Sequence, residues 1–534
     1  MMKTNFTSLL ASHVRERPHA TVFYDVEKPI SYLQLSDQAD QLARLLVARG
    51  ARQGERLGLW LPTCIDWLAV FFACARIGIT VIAMNTRFRS HEVADLLSRG
   101  GCQWLVMWPN FKDLAFDKIL QEVDDDLLVA LKGIIVTGGL PADNAMPKRP
   151  YIDINEKTDL DGILEIQPAA GSSDALVYTT SGTTSLPKLV LHDQQSLLVH
   201  GYSVANRFDM RPDDVLLLGA PLCGAFGFSG ALGVLVAGAA MVSSPVLNPV
   251  ECARQIRQFN VTHTFANNEL LSRILDIEAD NNNEPGNAFS SLRLAGFASF
   301  APSLGDFPER AEKMGMKLVG LYGSSELQAL VASQDLEASL SERQLPGGRL
   351  TATDARVRAR DAETGKILPH GEVGEIEIKS PSLMKEYIGN SEATAEVIDD
   401  EGYFRTGDLG HTVSDCAFIF HARSGDFLRI GGFLVNPGEI QTYIESLPGV
   451  SSCQVVGATS KGKTVPVAFV IAETGHIQPE NQIMAACRSH LAGFKVPYLV
   501  KIIDAFPVVE SANSNKIQRG ELKKKAQKLL DELN

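Results

Sequence analysis

Apolar runs of strand length alternate with helix-length patterns through the first four hundred residues. Leu57-Gly-Leu-Trp-Leu precedes a helical stretch over Trp67–Arg76, and Thr80-Val-Ile-Ala follows it. The order recurs where Val215-Leu-Leu-Leu-Gly precedes a helix at 229–240 and Ala240-Met-Val-Ser closes the unit. Such strand–helix–strand units predict an α/β fold of mixed or parallel sheets sandwiched by helices. From Gly347 to Ser380 the pattern shifts to short strands between glycine turns, which predicts a small β-rich subdomain. A boundary is expected near Ala422–Asp426. It divides a large N-terminal domain (1–422) from a small α+β C-terminal domain (423–534), with a strand over Val465–Ala472 and a helix over Gln482–Leu491. Asn281–Pro285 reads as a surface loop.

Composition narrows the class. At 534 residues the chain is too long for one core, and 45% hydrophobic with 21% charged residues is ordinary for a globular enzyme. The net charge of −13 is spread rather than blocked, which argues against a nucleic-acid surface. Lys523, Lys524 and Lys525 alternate with Leu529, Leu530 and Glu532, as in a solvated amphipathic C-terminal helix. The eight cysteines are scattered with no CxxC, so neither a zinc site nor a disulfide framework is expected, and a reducing cytoplasm fits. The start, MMKTNFTSLL, lacks the pattern of a secretory signal. The apolar run Gly230–Val242 is too short to cross a bilayer and reads as a buried helix packed through small residues.

Chemistry concentrates in four ordered clusters. Thr179–Lys188 reads TTSGTTSLPK, in which Thr180, Ser181, Gly182, Thr183 and Thr184 offer hydroxyls and close backbone, and Lys188 a cation. Backbone N–H groups of such a loop cradle phosphate oxygens. A Walker A loop is excluded, because Pro187 and Leu189 flank the lysine. Farther on come Tyr322-Gly323-Ser324-Ser325-Glu326, then Gly402-Tyr-Phe-Arg-Thr-Gly-Asp-Leu-Gly410, then Ser514-Asn515-Lys516-Ile517. Taken singly, each also has a bland reading: a polar turn, a helix-capping carboxylate at Glu326, an Asx-turn at Asp408, core filling at Tyr322, a solvated surface lysine at Lys516.

In this order the clusters resemble the adenylate-forming superfamily of acyl- and aryl-CoA synthetases, luciferases and peptide-synthetase adenylation domains, over about residues 20–525. The resemblance implies a mobile C-terminal domain and an active site between the two domains. It implies that ATP is held by the Thr180–Lys188 loop, by Phe300, Ala301, Pro302 and Ser325, by Tyr322 stacked on adenine, and by Asp408 and Arg423 on the ribose. Glu326 and Thr184 would be the magnesium ligands, and Lys516, Glu326 and Thr184 the catalytic groups. The acid pocket would draw on Cys223, Gly224, Phe226, Phe228, Gly296, Phe297, Ala298, Gly320, Leu321, Gly323 and Ser324. Gly425 would be the hinge, and Gly431 and Gly432 would line the thiol tunnel.

Several positions depart from the family pattern. Ser185 and Leu189 replace glycines of the phosphate loop, and Gly224 stands where many relatives carry a histidine. Gly425 replaces a hinge Asp or Lys, and Asn515 replaces a glycine. Ser299-Phe300 has lost two small residues before Ala301-Pro302.

The implied reaction joins a carboxylic acid to ATP as acyl-AMP, then to coenzyme A, with ATP, Mg2+ and coenzyme A as the reagents. No acidic residue is placed to hold an α-ammonium, which favours a fatty, aryl or alicyclic acid over an amino acid. The alternatives are an acyl-AMP ligase serving an acyl-carrier protein and a non-catalytic nucleotide- or acyl-binding homologue. A multienzyme loading module is disfavoured, because little chain follows Lys516. No nucleic-acid partner and no stable membrane insertion are expected, and the protein is read as a cytoplasmic monomer or homodimer.

Overall fold

A computed structural model describes residues 2–111, 115–140, 149–156, 167–180, 187–280, 289–298, 305–423, 428–430, 433–461, 463–473, 479–491, 493, 495–510 and 515–533. Side chains at 429, 433, 434, 509, 510, 515, 516 and 533 also lie outside the description.

Two sheets organise the N-terminal part. In the first, Thr80–Ala83, Arg56–Trp60, Trp104–Met107, Gly133–Val136 and Tyr151–Asp153 run parallel. Asp174–Thr180 joins them beside Thr80–Ala83, and Lys188–Asp193 and Glu386–Tyr387 extend that edge antiparallel. In the second, Ala240–Ser243, Val215–Gly219, His263–Asn267, Leu294–Ala298 and Leu318–Tyr322 are parallel neighbours.

The expected α/β class is therefore what the chain adopts. The Gly347–Ser380 strands form the expected β-rich part, which continues the second sheet without a break. Ala332–Ser333 pairs antiparallel with both Leu318–Tyr322 and Gly347–Leu350, so hydrogen bonding runs on from the parallel strands to Ala417–Arg423, Phe404–Ser414, Val373–Lys379 and Arg356–Arg360. The apolar run to Val242 is not one helix. The helix spans Ala225–Ala237 and stops at Gly238, whose φ of 72° is left-handed, before the strand Ala240–Ser243.

Between the sheets lies the largest core, built on the helix Ile65–Ile77 and the small-residue helix Ala225–Ala237. Trp67, Phe71 and Phe228 interlock there, with Phe228 centroids 5.2 and 4.9 Å from the two partners. Burying three aromatic rings contributes several kcal/mol, of the order of 1.5–3 each. After residue 428 the buried clusters are separate. One gathers Leu428, Ile440, Cys453 and Cys487, the other Val456, Phe469, Leu522, Ala526 and Leu530. The last three lie along the C-terminal helix Arg519–Leu533 at four-residue spacing, giving it one apolar face. Among the described residues, no helix is long and apolar enough to cross a membrane.

Candidate active site

Asp408 sits mid-strand in Phe404–Ser414, in register with Arg423 on the neighbouring strand. Gly407 precedes it at φ 69°, a left-handed angle that favours glycine, and so turns the strand at the carboxylate. Thr406 Oγ1 accepts the Asp408 N–H at 3.1 Å and donates to Ile376 O at 2.6 Å. The carboxylate is 5% exposed. Its Oδ2 accepts the Tyr322 hydroxyl at 2.5 Å, and Arg423 Nε stands 3.0 Å from Oδ1. That ion pair is off the line of a hydrogen bond, so Oδ1 accepts none among the described residues. Burial raises the Asp408 pKa, while Arg423 and the Tyr322 hydroxyl oppose the rise. Arg423 is held in turn by its Nη1 donating to Thr406 O at 2.8 Å. Tyr322 closes the strand Leu318–Tyr322, its ring edge-on to Phe418 at 5.0 Å and tilted against Phe420 at 5.8 Å.

A second corner forms around Glu326. Thr180 and Lys188 pair across the two antiparallel strands that flank residues 181–186. Lys188 Nζ lies 4.4 Å above the centroid of Tyr387, and the Tyr387 hydroxyl donates to Glu326 Oε1 at 2.8 Å. Tyr387 comes from a two-residue strand laid antiparallel on the sheet edge opposite Val190. Glu326 and Asp408 are near enough for the charge of Glu326 to raise the Asp408 pKa, so the corners adjoin. Sequence reasoning missed Tyr387, since nothing in MKEYIGN marks it until the strand pairing places it.

The acid-pocket positions sort by strand parity. A Cβ on Gly296 would meet Phe265 at 2.6 Å and Leu321 at 2.9 Å, so Gly296 and Leu321 share the face that abuts Phe265. Ala298 packs on that same inter-sheet core. Phe297 points to the opposite face, edge-on to Phe307 at 6.1 Å, and Gly320 is its register partner. Gly320 leaves no room for a side chain, because a Cβ there would lie 2.2 Å from Leu345 O. A Cβ on Gly323 would come within 2.6 Å of Ala329 Cα. Cys223, Phe226 and Phe228 all belong to the inter-sheet core, Phe228 fully buried against Trp67 and Phe71. Gly224 caps the helix Ala225–Ala237 in an extended conformation, φ −107° and ψ 147°, which any residue can adopt. Ser324 Oγ accepts the Leu327 N–H at 3.4 Å, and Ser325 O meets His192.

Ser181, Gly182, Thr183, Thr184, Phe300, Ala301, Pro302, Gly425, Gly431 and Gly432 lie outside the described residues, as does the loop Asn281–Pro285. The lysine near the C-terminus is not on a loop. Asn515–Ile517 forms a short strand against Val508–Glu510, with Lys516 opposite Val509 and its side chain outside the description.

Two carboxylates thus stand close together, Asp408 buried beside Tyr322 and Arg423, and Glu326 half-buried beside Tyr387. The AMP-binding enzyme family matches residues 10–388, and the AMP-binding enzyme C-terminal domain matches residues 439–513. The chain therefore belongs to the AMP-binding enzyme family. It is an AMP-forming acid–thiol ligase. A long-chain-fatty-acid–CoA ligase of Mycobacterium tuberculosis is 28% identical over 502 residues, covering 92% of this chain and 93% of that one. A feruloyl-CoA synthase of Amycolatopsis is 27% identical over 517 residues, covering 96% and 97%. ATP-bound MatB from Rhodopseudomonas palustris shares the fold at a TM-score of 0.82 and 23% identity, over 99% of this chain and 100% of that one.

Glu326 has a carboxylate oxygen to spare for a magnesium ion. Its Oε1 takes only the Tyr387 hydroxyl, and Oε2 takes no hydrogen bond among the described residues. No group of three or more His, Cys, Asp or Glu side chains gathers among the described residues. One available carboxylate oxygen fits a hard cation that is otherwise held by phosphate and water.

Proposed function

We propose that this ligase activates a hydrophobic carboxylic acid (fatty, aryl or alicyclic) and passes it to coenzyme A, with residues 1–422 binding ATP and acid and residues 423–534 carrying Lys516. The observation that carries the reading is the adjoining of the Asp408–Tyr322–Arg423 corner and the Lys188–Tyr387–Glu326 corner. Asp408 accepts the ribose hydroxyls through its unbonded Oδ1, with Arg423 beside it and Tyr322 bracing Oδ2. Lys188 and the loop Thr180–Thr184 hold the β- and γ-phosphates. Glu326 and Thr184 hold magnesium, which when bound neutralises developing phosphate charge.

In the first half-reaction a carboxylate oxygen of the acid attacks the α-phosphorus. The bond from that phosphorus to the bridging oxygen breaks, and pyrophosphate leaves with both electrons. Lys516, a compact ammonium, follows the charge into the transition state. In the second, the thiol sulfur, having lost its proton, attacks the acyl carbonyl and expels AMP. Gly431 and Gly432 line the thiol path after a rotation at Gly425. Small and apolar positions around Gly296, Ala298, Leu321, Cys223 and Phe226 support a hydrophobic acid. The relatives named for fatty-acyl and feruloyl substrates support it as well. All eight cysteines are free, which supports a cytoplasmic location.

ATP–pyrophosphate exchange over a panel of acids tests the activation, and product analysis with coenzyme A against an acyl-carrier protein tests the acceptor. Exchange with amino acids alone would reject the substrate class, and acylation of the carrier protein alone would reject coenzyme A.

A further inference from the structure

The segment that follows Tyr322 is neither helix nor strand, yet most of its carbonyls are held from a distance. Ser325 O is bonded by His192 Nε2 at 2.8 Å, with a longer 3.4 Å contact from the Gln328 N–H as its other donor, and Glu326 O accepts the Met384 N–H at 2.7 Å. Leu327 O accepts the Ser382 hydroxyl at 3.0 Å, Ala329 O is bonded by His200 Nε2 at 2.6 Å, and Leu330 O accepts the Thr351 hydroxyl at 2.5 Å. Gln328 Nε2 donates outward to Ser196 O at 3.1 Å and Ser382 O at 3.3 Å. Within the segment Gln328 and Leu330 have φ of 60° and 64°, left-handed angles that non-glycine residues hold only when their surroundings impose them. Both histidines are enclosed, His192 wholly and His200 at 2% exposure. Facing carbonyls, each ring must donate from Nε2, which fixes its tautomer.

His192 stands on the same strand as Lys188, four residues on and therefore on the same strand face. Its other ring nitrogen, Nδ1, has no hydrogen-bond partner among the described residues, and the Tyr178 ring meets it only edge-on at 5.5 Å. Its directed polar contact is thus the carbonyl immediately before Glu326. One strand fixes the phosphate-side lysine at one end and the backbone of the Glu326 carboxylate at the other.

We infer that His192 is a positioning residue for Glu326 in the adenylation half-reaction, acting through the Ser325 carbonyl, with His200 anchoring the far end of the same segment. The inference rests on the reading of Glu326 proposed above. A donor removed from Ser325 lets the peptide before Glu326 turn, and the carboxylate shifts relative to Lys188 while the Asp408 corner keeps its own anchors.

The test compares wild type with His192→Phe, His192→Asn, His192→Gln, Glu326→Gln and the double variant Glu326→Gln/His192→Phe. ATP–pyrophosphate exchange, thioester formation from supplied acyl-AMP, and AMP affinity by calorimetry are measured on each. His192→Phe keeps a flat ring but no donor, and the shorter amide of Asn falls short of Ser325. Both are expected to slow exchange about 10- to 100-fold, in the range of an outer-shell orienting group. Thioester formation and AMP affinity should stay within about two-fold. His192→Gln, whose amide nitrogen can replace Nε2, should recover most of the exchange. In the double variant the histidine change should add nothing to Glu326→Gln, as coupling between the two requires. Additive losses, or equal loss of exchange, transfer and AMP binding, overturn the inference and make His192 a plain core residue. So does failure of Phe and Asn to fold while Gln folds. Undiminished exchange in Glu326→Gln alone overturns the reading of Glu326 instead.

Discussion

Asp408 and Glu326 are two carboxylates on adjoining corners, and their surroundings are opposite. Asp408 is 5% exposed, with a phenol on one oxygen, a guanidinium beside the other and a raised pKa. Glu326 is half-buried, with one oxygen on Tyr387 and the other open among the described residues. A buried carboxylate already balanced by a cation gains little from a second cation but is well placed for neutral hydroxyl donors. An open carboxylate beside a phosphate-type loop attracts a hard cation and leaves room for its waters. The comparison teaches that environment, rather than residue type, separates the two carboxylates, and the proposed roles, ribose for Asp408 and metal for Glu326, rest on that difference.

The largest expected effect lies outside both corners. Lys516→Ala should reduce acyl-AMP formation by roughly 100-fold or more while leaving transfer from supplied acyl-AMP largely intact, since the ammonium serves only the step in which α-phosphate charge develops. Equal loss in both half-reactions would contradict that division. Next, Glu326→Gln should cut pyrophosphate exchange about 10- to 100-fold with AMP affinity unchanged, because AMP binding does not depend on a carboxylate for the metal. If AMP affinity falls instead, the two carboxylates are not separate in function.

Asp408→Ala should do the reverse. AMP and ATP affinity should fall by about 1.5–3 kcal/mol, the loss of a charged acceptor. Calorimetry with AMP and no metal reads this directly, and an unchanged affinity in a folded variant would reduce Asp408 to a strut for Tyr322. The same contrast predicts a pH signature. Burial raises the Asp408 pKa, so the acceptor is lost as pH falls through a value above the ordinary carboxylate range. AMP affinity should therefore decline in mild acid.

Stability should decline there for a separate reason. Burial lowers the pKa of His192 to about 4 and of His200 to about 3. Between their unfolded value near 6.5 and about 4, the unfolded chain binds protons that the folded chain does not. Each histidine then removes up to about 1.4 kcal/mol of stability per pH unit as pH falls. Denaturant unfolding at pH 7 and pH 5 separates this loss from the binding effect.

How much of this was legible in the sequence depends on the range of the interactions. Parallel strands read as apolar runs, so Val215–Gly219 and Ala240–Ser243 were visible as written. The clusters holding Lys188, Glu326, Asp408 and Lys516 were visible because their residues are contiguous. Strand parity was harder to read. Phe297 and Gly296 adjoin in sequence but face opposite sides, and Phe228 is enclosed by a helix more than 150 residues earlier. Tyr387, His192 and His200 left no signal, since each acts through one long-range hydrogen bond that no local pattern encodes.

The smallest effect probes the acid. Gly224 caps its helix in an extended conformation, so a histidine there meets no backbone penalty and acts by volume. Gly224→His should lower kcat/KM selectively for bulky acids, by roughly 10-fold or more, with ATP binding retained. A uniform drop across short, branched and ring-bearing acids would make Gly224 a backbone requirement.

The most direct test of the central claim is acid-dependent ATP–pyrophosphate exchange by the unaltered protein, run over fatty, aryl and alicyclic acids with an amino-acid series alongside. The account predicts exchange that is absent without acid, appears with hydrophobic acids, and falls about 10- to 100-fold in Glu326→Gln although AMP still binds. No exchange with any acid, from a protein that binds AMP normally, would contradict it and leave a nucleotide-binding homologue without turnover.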